Sequence, residues 1–131
     1  MKRTFFSLAL LLAVATLTAQ TKMTAREAAV KIADRILAST TYEFKNTKTG
    51  EIYKSVKKLP LDMDVKVACK YNNWHYTNGV TNMALMELGD KLGDKKYEKY
   101  VLKNMNFVFN EGNLDFFRKQ YDEAFKRDRS E

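Results

Sequence analysis

Within residues 74–79 the chain sets Trp74, His75, Tyr76 and Asn78 side by side and closes them with Gly79. Aromatic rings with polar tips stack on the apolar face of a sugar, while amide and imidazole nitrogens reach its hydroxyls. Trp74, Tyr76, His75 and Asn78 are therefore the candidate substrate-binding residues. Each also has a structural role open to it. Trp74 and Tyr76 could pack at a rim. His75, alternating with them, could face solvent, and Asn78 suits the N-cap of the helix that follows. For His75 and Asn78 the structural role is the stronger reading. No residue is singled out as catalytic: Asp62, Asp64, Asp94 and Asp122 read as loop, cap or solvated charges. One His and one Cys argue against a dedicated metal site. No cofactor motif is present.

The elements that must position this cluster follow from periodicity. A first helix is predicted over Thr24–Ala38. Thr24 and Glu27 form a capping box, Ala25, Ala28, Ala29, Ile32, Ala33 and Ile36 share one side, and Glu27, Lys31, Asp34 and Arg35 share the other. The connection over Ser39–Asn73 holds two short runs, Thr41–Phe44 and Glu51–Lys54, that pair as a hairpin, and an extended piece at Val65–Ala68. A second helix over Asn78–Leu92 is apolar almost all round through Val80, Met83, Ala84, Leu85, Met86, Leu88 and Leu92, which predicts enclosure by other helices. Gly93 stops it and Asp94 caps a third helix over Lys95–Asn110. That helix sets Lys95, Lys99, Lys103, Asn106 and Asn110 against Tyr97, Tyr100, Val101, Met105 and Val108. Phe107 and Phe109 read as core with Tyr97 and Tyr100. Gly112 is expected to end it and Asn113 to cap a fourth segment, Leu114–Lys126. One-sided helices alternating with an all-apolar one suit an α/α toroid better than a four-helix bundle, in which every helix is one-sided. The fold class expected is all-α.

Lys2 and Arg3 precede an apolar run over Phe5–Ala15, followed by small residues at Ala13, Ala15 and Ala19. This reads as a signal peptide over 1–19, too short for a comfortable permanent span, ahead of one domain over 20–131. The expected location is the periplasm or the outside of a bacterium. Lys plus Arg is 23 against 16 acids; losing Lys2 and Arg3 leaves a charge of about +5. The cations form no tract, so neither nucleic acid nor a membrane surface is an expected partner, whereas anionic sugars are compatible with the charge. Cys69 is the only cysteine; it can form no intrachain disulfide and reads as a buried thiol.

Trp74–Gly79, Leu88-Gly89-Asp90, the run Leu92–Tyr100 with its Gly93-Asp94-Lys95-Lys96-Tyr97 core, Asn46–Gly50, Leu59-Pro60-Leu61 and Phe117–Asp122 form a recognisable set. Together they resemble glycoside hydrolase families 88 and 105, the unsaturated glucuronyl and rhamnogalacturonyl hydrolases. The resemblance implies the N-terminal part of a six-hairpin (α/α)6 barrel: about two helical hairpins with a long loop. It also implies a ligand class, unsaturated uronic-acid oligosaccharides left by polysaccharide lyases. The reaction it implies is hydration of the 4,5 double bond by an aspartate without a metal, unlike two-carboxylate displacement. The families' aspartates lie in Asp-Asp motifs at helix entrances, and no such motif occurs here. An inactive fragment, self-associating or completed by another polypeptide, is the expectation. The competing readings are a small helical-repeat interaction module, against which no second copy recurs at a fixed period, and a non-catalytic carbohydrate-binding fragment.

Overall fold

The computed structural model describes residues 23–126. The segment read as a signal peptide lies outside them. Two compact units divide between Lys31 and Ile32.

Helix α1 spans Ala25–Ser39. Its start is the expected capping box: the Thr24 N–H donates to Glu27 Oε2 at 2.8 Å and the Glu27 N–H donates to Thr24 Oγ1 at 3.2 Å. Its end is turned back by the hydroxyls of Ser39 and Thr40, which donate to the carbonyls of Arg35 and Ile36. The buried side differs from the expected stripe. Ala33 is buried with Ile36 and Leu37 packed beside it, whereas Ile32 is exposed.

The largely helical class expected holds, and the long connection adds a sheet that extends the expected hairpin by a third strand. Strands β1 (Phe44–Asn46), β2 (Ile52–Tyr53) and β3 (Val65–Val67) lie in the order β2-β1-β3, both pairs antiparallel. The expected hairpin is β1–β2, with Phe44 opposite Tyr53. Asn46 Oδ1 shapes its turn by accepting from the N–H groups of Lys48 and Thr49, and Gly50 supplies a φ of 79°. The fold is thus mostly helical with one small three-stranded sheet.

Helix α2 covers Tyr76–Leu92, α3 Lys95–Phe109 and α4 Glu111–Phe125. Gly93 takes the left-handed conformation at φ 65° and Asp94 caps α3 through Oδ1, as expected. Gly89 lets α3 approach: a Cβ there would stand 3.3 Å from Tyr97 Cβ and 3.2 Å from the Asp94 carbonyl. The expected enclosure of α2 does not hold among the described residues. Leu85 is buried and Met86, Leu88 and Leu92 pack beside it, but Met83 is 74% exposed and Val80 and Ala84 are also open. All-round apolarity states what could be covered; the described elements cover one side.

The α3–α4 junction is also corrected. Asn110, not Gly112, breaks the helix at ψ 146°, and its Oδ1 accepts from the Asn113 N–H, so Asn110 rather than Asn113 caps α4. Gly112 lies inside α4 and Asn113 is buried, donating to the Phe107 carbonyl at 2.7 Å.

Two apolar clusters hold the unit from Ile32 onward. One joins Ala33, Leu85, Tyr97, Tyr100 and Val101; the other joins Phe44, Leu59, Val65 and Phe116. Phe107, half-buried, lies 5.5 Å from Phe44. Phe109, read as core, is exposed instead. Cys69 is buried, as expected. No helix among the described residues is long and apolar enough to cross a membrane.

Candidate functional site

The cluster at the start of α2 is assembled by amides. Asn78 is buried and its Nδ2 stands within hydrogen-bond reach of three acceptors: Asn73 Oδ1 at 2.6 Å, the Lys70 carbonyl at 3.0 Å and the Asn73 carbonyl at 3.1 Å. It ties the Lys70–Asn73 segment to the first turn of α2. The expected capping role belongs to His75, whose Nδ1 accepts from the Thr77 N–H at 3.4 Å and lies 2.8 Å from Thr77 Oγ1. An imidazole can cap because its unprotonated nitrogen is an acceptor. The expectation for Asn78 fails because the α2 helix starts two residues earlier, which places Asn78 inside the turn.

Trp74 and Tyr76 stand on the surface, 62% and 79% exposed, so neither is packed away as core. Trp74 rests against Phe109 with ring centroids 5.7 Å apart, and its Nε1 donates to the Val108 carbonyl at 3.4 Å. The Tyr76 ring lies 5.2 Å from the His75 ring. The structure therefore brings all four expected site residues to one rim. Three of them present their rings there, and Asn78 braces it from below.

Inside the rim is a cavity of about 290 Å³. Its aromatic borders are Trp74, His75, Tyr76 and Phe109, and its amide borders are Asn72, Asn73, Asn78, Asn82 and Asn104. Separate side-chain hydrogen bonds anchor these amides. Asn104 Nδ2 donates to Asn82 Oδ1 at 3.2 Å, and Asn72 Nδ2 donates to the Thr41 carbonyl at 2.7 Å. Asn72 Oδ1 and Asn104 Oδ1 are buried without a partner. A buried amide oxygen without a partner is costly, by about 1–3 kcal/mol, so it is kept where structure or ligand demands it.

Sequence reasoning passed over Asn72, Asn82 and Asn104. A signal was available for two of them. Asn104 falls within the apolar stripe Tyr100, Val101, Met105 and Val108, and Asn82 sits one helical turn past Asn78 amid apolar neighbours. A polar residue on an apolar stripe is the informative kind of buried residue.

A second cavity of about 570 Å³ lies beyond Trp74, between β3 and α4, and shares Asn73, Trp74 and His75 with the first. The carboxylates weighed from the sequence lie elsewhere. Asp62 Oδ1 accepts from the Asp64 N–H, Asp64 pairs with Lys48, Asp94 caps α3, and Asp122 borders a separate surface with Leu61 and Lys119. The Lys48 ammonium beside Asp64 holds its carboxyl below the usual carboxylate range. Among the described residues no group of three or more His, Cys, Asp or Glu could hold a metal ion.

No protein-family model, curated protein or solved structure matches this chain.

Proposed function

We propose that the chain binds a saccharide at the Trp74 rim and does not by itself complete a hydrolytic reaction. The observation that carries this is the pairing of exposed rings, Trp74, Tyr76 and Phe109, with an amide-lined cavity. Rings give stacking area at small entropic cost, and amides give paired donors and acceptors that fix hydroxyls. The cavity is bordered by no Lys, Arg, Asp or Glu. A carboxylic acid for sugar chemistry would have to reach it from outside that lining, whose proton-bearing side chains are those of His75 and Tyr76.

On the resemblance to glycoside hydrolase families 88 and 105, we assign the chain to the N-terminal part of an exported unsaturated rhamnogalacturonyl or glucuronyl hydrolase. Its helices would form about two hairpins of an (α/α)6 toroid. The open Val80–Met83 side of α2 supports that reading, because it is the side a further helix would cover. The ligand would be an anionic oligosaccharide ending in an unsaturated uronyl residue.

Calorimetric titration of the chain with an unsaturated galacturonyl disaccharide tests the binding. Heat of binding that disappears in Trp74→Ala, with the melting temperature unchanged, is the expected result. Absence of binding by the wild-type chain overturns the reading. Absorbance of the 4,5 double bond, followed in the same sample, should stay constant; its decay would show that this chain alone suffices for turnover.

A further inference from the structure

We propose that the cavity inside the Trp74 rim accepts an uncharged sugar unit and excludes an acidic one, and that Asn78 and Asn82 make that distinction. This rests on the saccharide reading of the cavity and sets any uronyl residue of the ligand outside the amide lining.

Asn78 and Asn82 are 8% and 5% exposed, stand one turn apart on α2 and both border the cavity. Backbone carbonyls fix which way their amides face, because a carbonyl can only accept. The Lys70 and Asn73 carbonyls claim Asn78 Nδ2, so Oδ1 is the atom left over. The Tyr71 carbonyl, 3.4 Å from Asn104 Nδ2, orients Asn104, and the same nitrogen then requires Asn82 Oδ1 as its acceptor. Asn82 Nδ2 is left over in turn. Neither Asn78 Oδ1 nor Asn82 Nδ2 has a hydrogen bond among the described residues. Neither is sealed from solvent as Asn72 Oδ1 and Asn104 Oδ1 are, and the cavity is what they face. It therefore holds an acceptor and a donor side by side, both set by the fold before any ligand arrives.

A hydroxyl both donates and accepts, so neighbouring hydroxyls of a neutral ring satisfy both atoms at once. A carboxylate only accepts. It could take the Asn82 donor, but it would then stand near Asn78 Oδ1 with its charge unpaired. No Lys or Arg on the border compensates that charge. The start of α2 does not offer its free donors either. There the Thr77 N–H donates to His75 Nδ1 and the Asn78 N–H to the His75 carbonyl.

The test uses α-1,4-galactobiose, α-1,4-digalacturonate and the dimethyl ester of the latter, which share one skeleton and differ at C6. In calorimetric titrations the full wild-type chain should bind galactobiose and the ester about tenfold more tightly than digalacturonate. Asn82→Asp keeps an acceptor for Asn104 but replaces the free donor with a charge. It should weaken galactobiose and the ester by about tenfold, with folding checked by circular dichroism. Should that variant not fold, the wild-type ligand series decides alone. Digalacturonate bound as tightly as galactobiose, or a folded Asn82→Asp that binds galactobiose like wild type, overturns the inference while the saccharide reading survives. An ester as weak as digalacturonate also overturns it, because size rather than charge would then be read. If wild type binds none of the three, both fall.

Discussion

Tyr97 is fully buried, and its hydroxyl donates to Asp34 Oδ1 at 2.9 Å. Lys96 Nζ approaches the same oxygen at 2.8 Å. The Lys96 hydrogen bond, followed by that from Tyr97, holds the Asp34 carboxyl below its ordinary range. Burial first, then Asp34, pushes the Tyr97 phenol up. A carboxyl with a depressed folded pKa stabilises above its unfolded value, about 3.9, and that stability is lost as pH falls through the folded value. Asp34 and Lys96 are both about half exposed, so solvent screening keeps the contribution of their pair small. Losing the partner of the buried hydroxyl adds about 1 kcal/mol. Asp34→Ala should therefore cost about 1–2 kcal/mol at neutral pH and flatten the acid limb below about pH 4, read by urea unfolding across a pH series. An unchanged acid limb would remove Asp34 from this role. Asn78 gives a second check. Asn78→Asp is nearly isosteric but sets an acceptor against the Lys70 carbonyl and both oxygens of Asn73. Its thermal midpoint should fall further than that of Asn78→Ala, which only loses the bonds.

Helix α2 shows which features of an element are local enough to read from sequence. Gly93 and Asp94 were legible because a left-handed stop and a side-chain cap depend on a few adjacent residues. The Thr24 and Glu27 box was legible for the same reason. The cover of α2 was not, because apolarity does not say which neighbour is present. The place of β3 depends on Asn46 meeting Val65, a pairing that local pattern leaves open. The His75 cap was hidden by a residue type seldom considered as one, and the buried Asn104 by the habit of giving amides to solvent. The one-sided cover predicts a contrast within one helix. Leu85→Ala should cost about 2–5 kcal/mol, whereas Met83→Gln and Val80→Thr should stay within about 0.5 kcal/mol, by denaturant melts of the three variants. A loss near the Leu85 value at Met83 would mean that side is covered in solution.

For the unit from Ile32 onward, the two apolar clusters and the aromatic contacts between Phe44 and Phe107 do the holding. The ion pairs among the described residues are of another kind. Lys91–Glu87 and Lys119–Asp115 are surface pairs one helical turn apart, Lys96 bridges Asp34 and Asp94, and Lys48 reaches Asp64. Every partner keeps at least a quarter of its side chain in solvent, so each pair is screened and worth little. Burial of apolar surface, by contrast, does not depend on counter-ions at moderate concentration. Raising sodium chloride from about 0.05 M to about 0.5 M shortens the Debye length from roughly 14 Å to roughly 4 Å. That change should nonetheless move the melting temperature by no more than about 3 °C. The excess of lysine works in the same direction, because salt relieves mutual repulsion while it weakens the pairs. Scanning fluorimetry over that salt range, using chloride to avoid excluded-solute effects of sulfate, reads the shift directly. A fall of ten degrees or more would mean that charge networks, rather than the Tyr97 and Phe44 clusters, carry the fold.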